Sequence, residues 1–177
     1  MKKIIFAWIL CVKLVAFGID DLSGIKKNNI EGDFTQIKKI SGFRNEIKSS
    51  GAFSIANNEL LWHTKKPIVS IVKLTSEGIF SHQNPQNLQD STAWVKVSQN
   101  YDRSLFLSVM KLDFDELKKN FDFHIDGDKN AWNLTLTPKG IIKNIFQSIK
   151  ISGGESVKNI VLTEANGDTT ENQFIVK

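Results

Sequence analysis

The chain holds three histidines, His63, His82 and His124, and none has a second ligand residue at zinc-site spacing. They read as ordinary strand or loop histidines. Asp126-Gly127-Asp128-Lys129-Asn130 offers side-chain oxygens at alternate positions, as a calcium loop begins. The sixth position of that loop is Ala131 where glycine is needed, and the twelfth is Thr137 where a bidentate glutamate is needed, so a hairpin turn is the reading. Asp113-Phe114-Asp115-Glu116 gathers carboxylates suited to general acid-base work. Asp113 followed by Glu116 three residues later is also how a helix starts, and acids favour that end of the helix dipole. Neither a Gly-x-Ser-x-Gly elbow nor a phosphate loop is present. The residues therefore assign no catalytic group, metal site or cofactor, and an enzyme is not expected.

Cys11, the one thiol, lies in an apolar run of 14 residues, Ile4 to Phe17, that follows Met1-Lys2-Lys3 and is interrupted by Lys13. The run is too short to span a bilayer, which takes about 20 apolar residues. With Ala16 and Gly18 as small residues at the −3 and −1 positions of a cleavage site, residues 1–18 read as a secretory signal peptide. Its removal takes away Lys2, Lys3 and Lys13 and no acid, so the net charge falls from +4 to +1. Most of the apparent basicity belongs to the export signal, and a nucleic-acid partner, which needs a basic stripe, loses its support. The mature chain, residues 19–177, has no cysteine and must be held together by its core. Its length suits a single domain burying roughly 70% of its unfolded surface.

The elements follow from periodicity. Ile47, Ser49, Gly51, Phe53 and Ile55 fall on one side of a period-2 pattern, which predicts a long strand. Asn57-Asn58 suit a tight hairpin, after which Leu60, Trp62 and Thr64 continue until Pro67. Ile30 to about Ile40 forms a third strand, with a bulge expected where the phase slips between Phe34 and Ile37. Before it, Ile19 to Asn29 reads as a short amphipathic helix. After it, Pro67 to Thr75 reads as a strand that is apolar on both faces, Gly78 to Phe80 as another, and Ser81 to Thr92 as a polar loop. From Ala93 to Phe121 the spacing of Trp94, Val97, Tyr101, Leu105 and Val109 changes to three and four, predicting one or two helices and a further short one from Asp113 to Asn120. Strands then return: Phe121-Phe123-Ile125, Trp132-Leu134-Leu136, Ile149-Ile151, and a hairpin from Val157 to Val176 across Asn166-Gly167-Asp168, with a helical turn at Gly140 to Phe146. Patterning alone gives an α+β protein with an antiparallel sheet and helices on one side.

Three blocks carry a family resemblance: Phe34-Thr35-Gln36 with Ser49-Ser50-Gly51-Ala52-Phe53, Leu60-Leu61-Trp62-His63-Thr64-Lys65-Lys66-Pro67, and Trp132 to Pro138 with the Glu164 to Thr170 hairpin. In order and spacing they resemble the periplasmic outer-membrane lipoprotein carrier family (LolA-like). The resemblance implies an antiparallel incomplete β-barrel with a helical lid, here Ala93 to Asn120 with the N-terminal helix, over a concave apolar face. It also implies a monomer that shelters the acyl chains of lipoproteins in the periplasm between an inner-membrane release complex and an outer-membrane acceptor. On that reading Phe34, Phe53, Trp62, Leu74, Trp132 and Leu134 are the lipid-binding residues of the sheet, and Leu105, Phe106 and Val109 those of the lid. One departure stands out. The family's best-known members carry an Arg-Pro pair in the turn after the second strand, whose arginine bonds to the lid. Here that turn is Ala56-Asn57-Asn58, and the chain's two arginines, Arg44 and Arg103, lie elsewhere. Two alternatives stay open: a shuttle for another lipid, such as a glycolipid or fatty-acyl product, and an enzyme or protein-binding sensor built on the same half-barrel.

Overall fold

The computed structural model describes residues 17–25, 29–87, 89–98 and 102–177. The expected export signal, apart from its last two residues, lies outside the described residues with Cys11 and Lys13, as does Tyr101. Five strands open the fold: β1 (Ile30–Lys39), β2 (Ile47–Ala56), β3 (Glu59–Lys66), β4 (Ser70–Thr75) and β5 (Gly78–His82). An edge strand β6 (Trp94–Ser98), helix α1 (Asp102–Lys111) and the single-turn α2 (Phe114–Leu117) follow. Five more strands close it: β7 (Phe121–Asp128), β8 (Ala131–Pro138), β9 (Phe146–Gly153), β10 (Val157–Glu164) and β11 (Thr169–Val176). They form one antiparallel sheet of 11 strands in the order β6-β5-β4-β3-β2-β1-β11-β10-β9-β8-β7. Its two end strands do not pair with each other, so the barrel is open, and the short helices supply what covers its apolar face. The expected α+β half-barrel class is the one found.

Alternation decides which face is which. Phe34 on β1, Phe53 and Ile55 on β2, Leu60 on β3, Leu74 on β4, Leu134 and Leu136 on β8, Ile149 and Ile151 on β9, Ile160 on β10 and Phe174 on β11 all join one buried cluster. We call their side the inward face. Leu105, Val109 and Leu112, spaced by four and three, present one stripe of the α1 region to it, and Leu117 of α2 and Leu22 of the N-terminal segment complete it. Burying each such side chain contributes about 1.5–3 kcal/mol, so the sheet's curvature is held by what fills it.

Four sequence expectations need correction. Trp94 and Val97 are not helical: they lie on β6, where Trp94 stands opposite His82 with the rings edge-on at 4.7 Å, and Lys73 lies 4.8 Å over the indole. The Trp94 to Ser98 segment alternates as well as it spaces by three, and cross-strand partners on β5 settled the choice. The N-terminal helix is a single 3₁₀ stretch, Ile19–Gly24, with Leu22 buried. β1 carries no bulge; it pairs with β2 and β11 in unbroken register, and its inward face turns polar at Gln36 instead of slipping. The irregularity lies between β2 and β3 at Ser50/Gly51. Finally β4 begins at Ser70, leaving Ile68 and Val69 exposed in the preceding turn.

The Asn57-Asn58 hairpin is as expected, with both residues at positive φ (50° and 66°), the region a two-residue turn of this kind requires. Asp113 caps α2, its carboxylate accepting from the Glu116 N–H at 3.2 Å. Asp128 closes the β7–β8 turn by accepting from the N–H groups of Asn130 (2.7 Å) and Ala131 (3.1 Å), which is why those acids sit there.

Candidate functional site

Among the described residues no three of His, Cys, Asp and Glu converge into a metal-binding group. His82 is buried in the clasp of its own loop: the Asn84 N–H donates to Nδ1 at 3.3 Å, and Nε2 lies 3.1 Å from the Asp90 carbonyl. His124 is exposed, 3.9 Å from the Asp126 carboxylate. The feature left for function is the inward apolar face.

Its centre is Trp62. The indole lies 3.8 Å from the Phe34 ring, 5.9 Å from Phe106 of α1, 6.1 Å from Phe174 and 6.5 Å from Phe53, with the Phe106 and Phe174 rings edge-on. Phe34 has room for that contact because Gly51 stands opposite it: a Cβ there would sit 2.9 Å from the Phe34 ring and 1.9 Å from the His63 carbonyl oxygen. The Ser49-Ser50-Gly51-Ala52-Phe53 block thus encodes a close approach of two strands and a ring. Aromatic groups at these separations attract by about 0.5–1.5 kcal/mol per pair beyond the area they bury.

Next to the rings lies a cavity of about 240 Å³ between α1, the start of β9 with the residue before it, and the end of β10, lined by Leu105, Phe106, Val109, Ile145, Phe146, Ile149, Leu162 and Glu164. Among its lining groups the Glu164 carboxylate is the one that ionises, and it is already paired with Lys38 at 3.3 Å. The cavity holds no pairing of nucleophile with base. What the arrangement can do chemically is bury hydrocarbon under a helix.

The polar groups of the same face are ordered. The Ser49 hydroxyl donates to Gln36 Oε1 at 3.2 Å, and Gln36 Nε2 donates to Asn172 Oδ1 at 2.8 Å, a chain that crosses β2, β1 and β11 in exact register. Asn172 is completely buried.

The structure places all nine residues expected to bind lipid in or against the core cluster. Phe34, Phe53, Trp62 and Phe106 meet in the ring cluster, and Leu105, Phe106 and Val109 line the cavity. Leu74 lies across from Leu60 on β4, the strand on which α1 rests, and Leu134 lies across from Ile151. Trp132 stands apart: its indole N–H donates to the Gly154 carbonyl at 2.9 Å, and a Cβ at Gly153 would lie 2.5 Å from its ring. It is wedged into the fold. Sequence reasoning missed Phe174, Ile145, Phe146, Ile149 and Leu162 as neighbours of the site, although the alternation of Asn172, Phe174 and Val176 could have pointed to the first.

The family model of the outer membrane lipoprotein carrier protein LolA matches residues 26–176. The crystal structure of a LolA superfamily protein from Nitrosomonas europaea is similar, with 7% sequence identity, 90% of each chain covered and a TM-score of 0.49. A chain of the Pseudomonas aeruginosa MucA/MucB complex is similar at 13% identity and a TM-score of 0.48; the alignment covers 90% of this chain and 56% of that one. Among curated proteins no match is found.

Proposed function

The chain belongs to the outer membrane lipoprotein carrier family, and from that premise we propose that it shelters the acyl chains of lipoproteins on its inward face and delivers them from the inner to the outer membrane. The observation that carries the reading is the ring cluster and cavity beneath α1, apolar and without a catalytic pair. Exposing an alkyl chain to water costs about 0.8 kcal/mol per CH₂, on the order of 10 kcal/mol for one long chain, so transfer across an aqueous gap needs such cover. A carrier must also release its cargo, which favours contacts without direction and a cover that moves. The cavity supports this: at about 240 Å³ it is smaller than the roughly 300–1,000 Å³ of ordinary small-molecule sites, so loading a long chain requires α1 to lift from the sheet.

Lipid binding is assigned on this reading to Phe34, Phe53, Trp62, Leu74, Leu105, Phe106, Val109 and Leu134, with Trp132 bracing the sheet beneath them. The working form is the monomer of residues 19–177, exported to the periplasm by its first 18 residues, receiving cargo from an inner-membrane release complex and yielding it to an outer-membrane acceptor. A second reading, a shuttle for a glycolipid or fatty-acyl product, is favoured by the Ala56-Asn57-Asn58 turn, which lacks the arginine of the lipoprotein carriers. Native mass spectrometry of the protein purified gently from its own host separates them. A bound lipopeptide mass supports the first reading and a glycolipid or phospholipid mass the second. A protein that is empty and takes up no fluorescent fatty acid would overturn both.

A further inference from the structure

Along β1 the inward face changes character every second residue, from Phe34 to Gln36 to Lys38, and β11 runs beside it from Phe174 to Asn172 to Thr170. At about 3.4 Å rise per residue the three rows lie roughly 7 Å apart. The first row is the ring cluster, the second the Ser49–Gln36–Asn172 chain, and the third the rim, where Lys38 meets Glu164 at the edge of the cavity. That is the polarity order of an acyl lipid read from tail to headgroup.

The middle row is incomplete on the protein's side. Asn172 is 0% exposed and its oxygen is taken by Gln36, but its amide Nδ2 has no hydrogen-bond partner among the described residues. A buried N–H left unpaired costs about 1–3 kcal/mol, and such groups in native folds call for an explanation. Asn172 stands on the inward face directly across from Ile160, and diagonally from Leu162, which lines the cavity. An acceptor arriving there with an alkyl chain among the rings must be uncharged, because Asn172 is buried and no cation belongs to its row.

We propose that Asn172 is a ligand-binding residue whose side-chain N–H donates to the carbonyl oxygen of an acyl ester or amide, with the alkyl chain among the rings and the polar end of the ligand at the Lys38–Glu164 rim. The inference rests on the carrier reading above and adds to it a fixed orientation and a preference: carbonyl-linked chains are held better than ether-linked chains of equal length.

Two soluble probes test it on the purified protein, dioctanoyl phosphatidylglycerol and its dioctyl ether counterpart, each titrated against a bound fluorescent fatty acid. The ester is expected to bind about three- to tenfold more tightly, the range one neutral hydrogen bond supplies. Asn172→Leu should bring the ester down to the affinity of the ether and leave the ether unchanged. Should that variant fold poorly because Gln36 loses its acceptor, the Gln36→Leu/Asn172→Leu pair removes both partners together and should behave the same way. Equal affinity of the native protein for the two probes, which needs no variant, would overturn the carbonyl contact while leaving lipid carriage intact, and so would an ester preference that survives in Asn172→Leu. A native protein that binds neither probe nor the fatty acid would instead remove the carrier reading itself.

Discussion

The Lys111 ammonium donates to the side-chain oxygen of Asn58, tying the C-terminal end of α1 to the β2–β3 turn across 53 positions of sequence. The turn is the one in which the lipoprotein carriers place an arginine that reaches the lid. In this chain the cation sits on the helix and the acceptor in the turn, so helix and turn are tied with the donor on the helix. Lys111→Met or Asn58→Gly, the latter chosen because the position has positive φ, should loosen α1. Hydrogen exchange of the α1 amides should quicken by no more than about fivefold, as expected for an exposed polar contact, and the double variant should go no further than either single one. Unchanged exchange in both single variants would show that the tether holds nothing.

Phe106 and Trp132 should fail in different ways. Phe106 is half-buried, faces Trp62 from α1 and lines the cavity. Phe106→Asp is expected to leave a folded protein, by circular dichroism, that no longer takes up a fluorescent fatty acid. Trp132 is 1% exposed and hydrogen-bonded, so Trp132→Ala should cost about 3–5 kcal/mol and lower the melting temperature by roughly 6–20 °C. Continued uptake by folded Phe106→Asp would remove α1 from the site.

Gly51 has a steric role that a single methyl group exposes. Gly51→Ala puts a Cβ against the His63 carbonyl and the Phe34 ring, with an expected loss of about 1–3 kcal/mol. Gly24, where an added Cβ would meet nothing within 4 Å among the described residues, is the control position, and Gly24→Ala should melt close to the native protein. Equal melting temperatures for the two variants would contradict the close approach.

The C-terminus carries a pH dependence. A hydrogen bond from Lys177, 2.8 Å away, holds the Asp33 carboxyl below its ordinary value, and the same contact raises the Lys177 ammonium above its own. A lowered carboxyl contributes stability that is complete above the ordinary carboxylate range, near pH 4, and is lost as pH falls through the folded value. A raised ammonium contributes stability that is complete below the ordinary lysine range and is lost as pH rises through the folded value. Lys177→Met should therefore lower the melting temperature between about pH 5 and 9, and the difference from the native protein should close at both extremes. A difference that is flat across the whole range would dissociate the pair from stability.

Much of this protein was determined by short-range pattern. The direction of a strand side chain repeats every two residues, so the Ile47 to Ala56 strand, its Asn57-Asn58 turn, the Trp132-Leu134-Leu136 face and the Asn166-Gly167-Asp168 hairpin were all legible in their own few residues. The blocks around Phe34, Trp62 and Trp132 carried the family, and with it a class of fold and most of the aromatic wall. Where a segment fitted two periods, as Trp94 to Ser98 did, local pattern could not choose, and the partner strand β5 did.

Tertiary structure alone decided which residues face each other. Gln36 and Asn172 are 136 positions apart and share a hydrogen bond only because β1 and β11 pair in one particular register. Lys111 finds Asn58, and Phe106 finds Trp62, only when α1 lies across the sheet. The physical reason is that a side chain's face is fixed by its own backbone, whereas its neighbours are fixed by the register and order of all 11 strands and by the helix that closes over them.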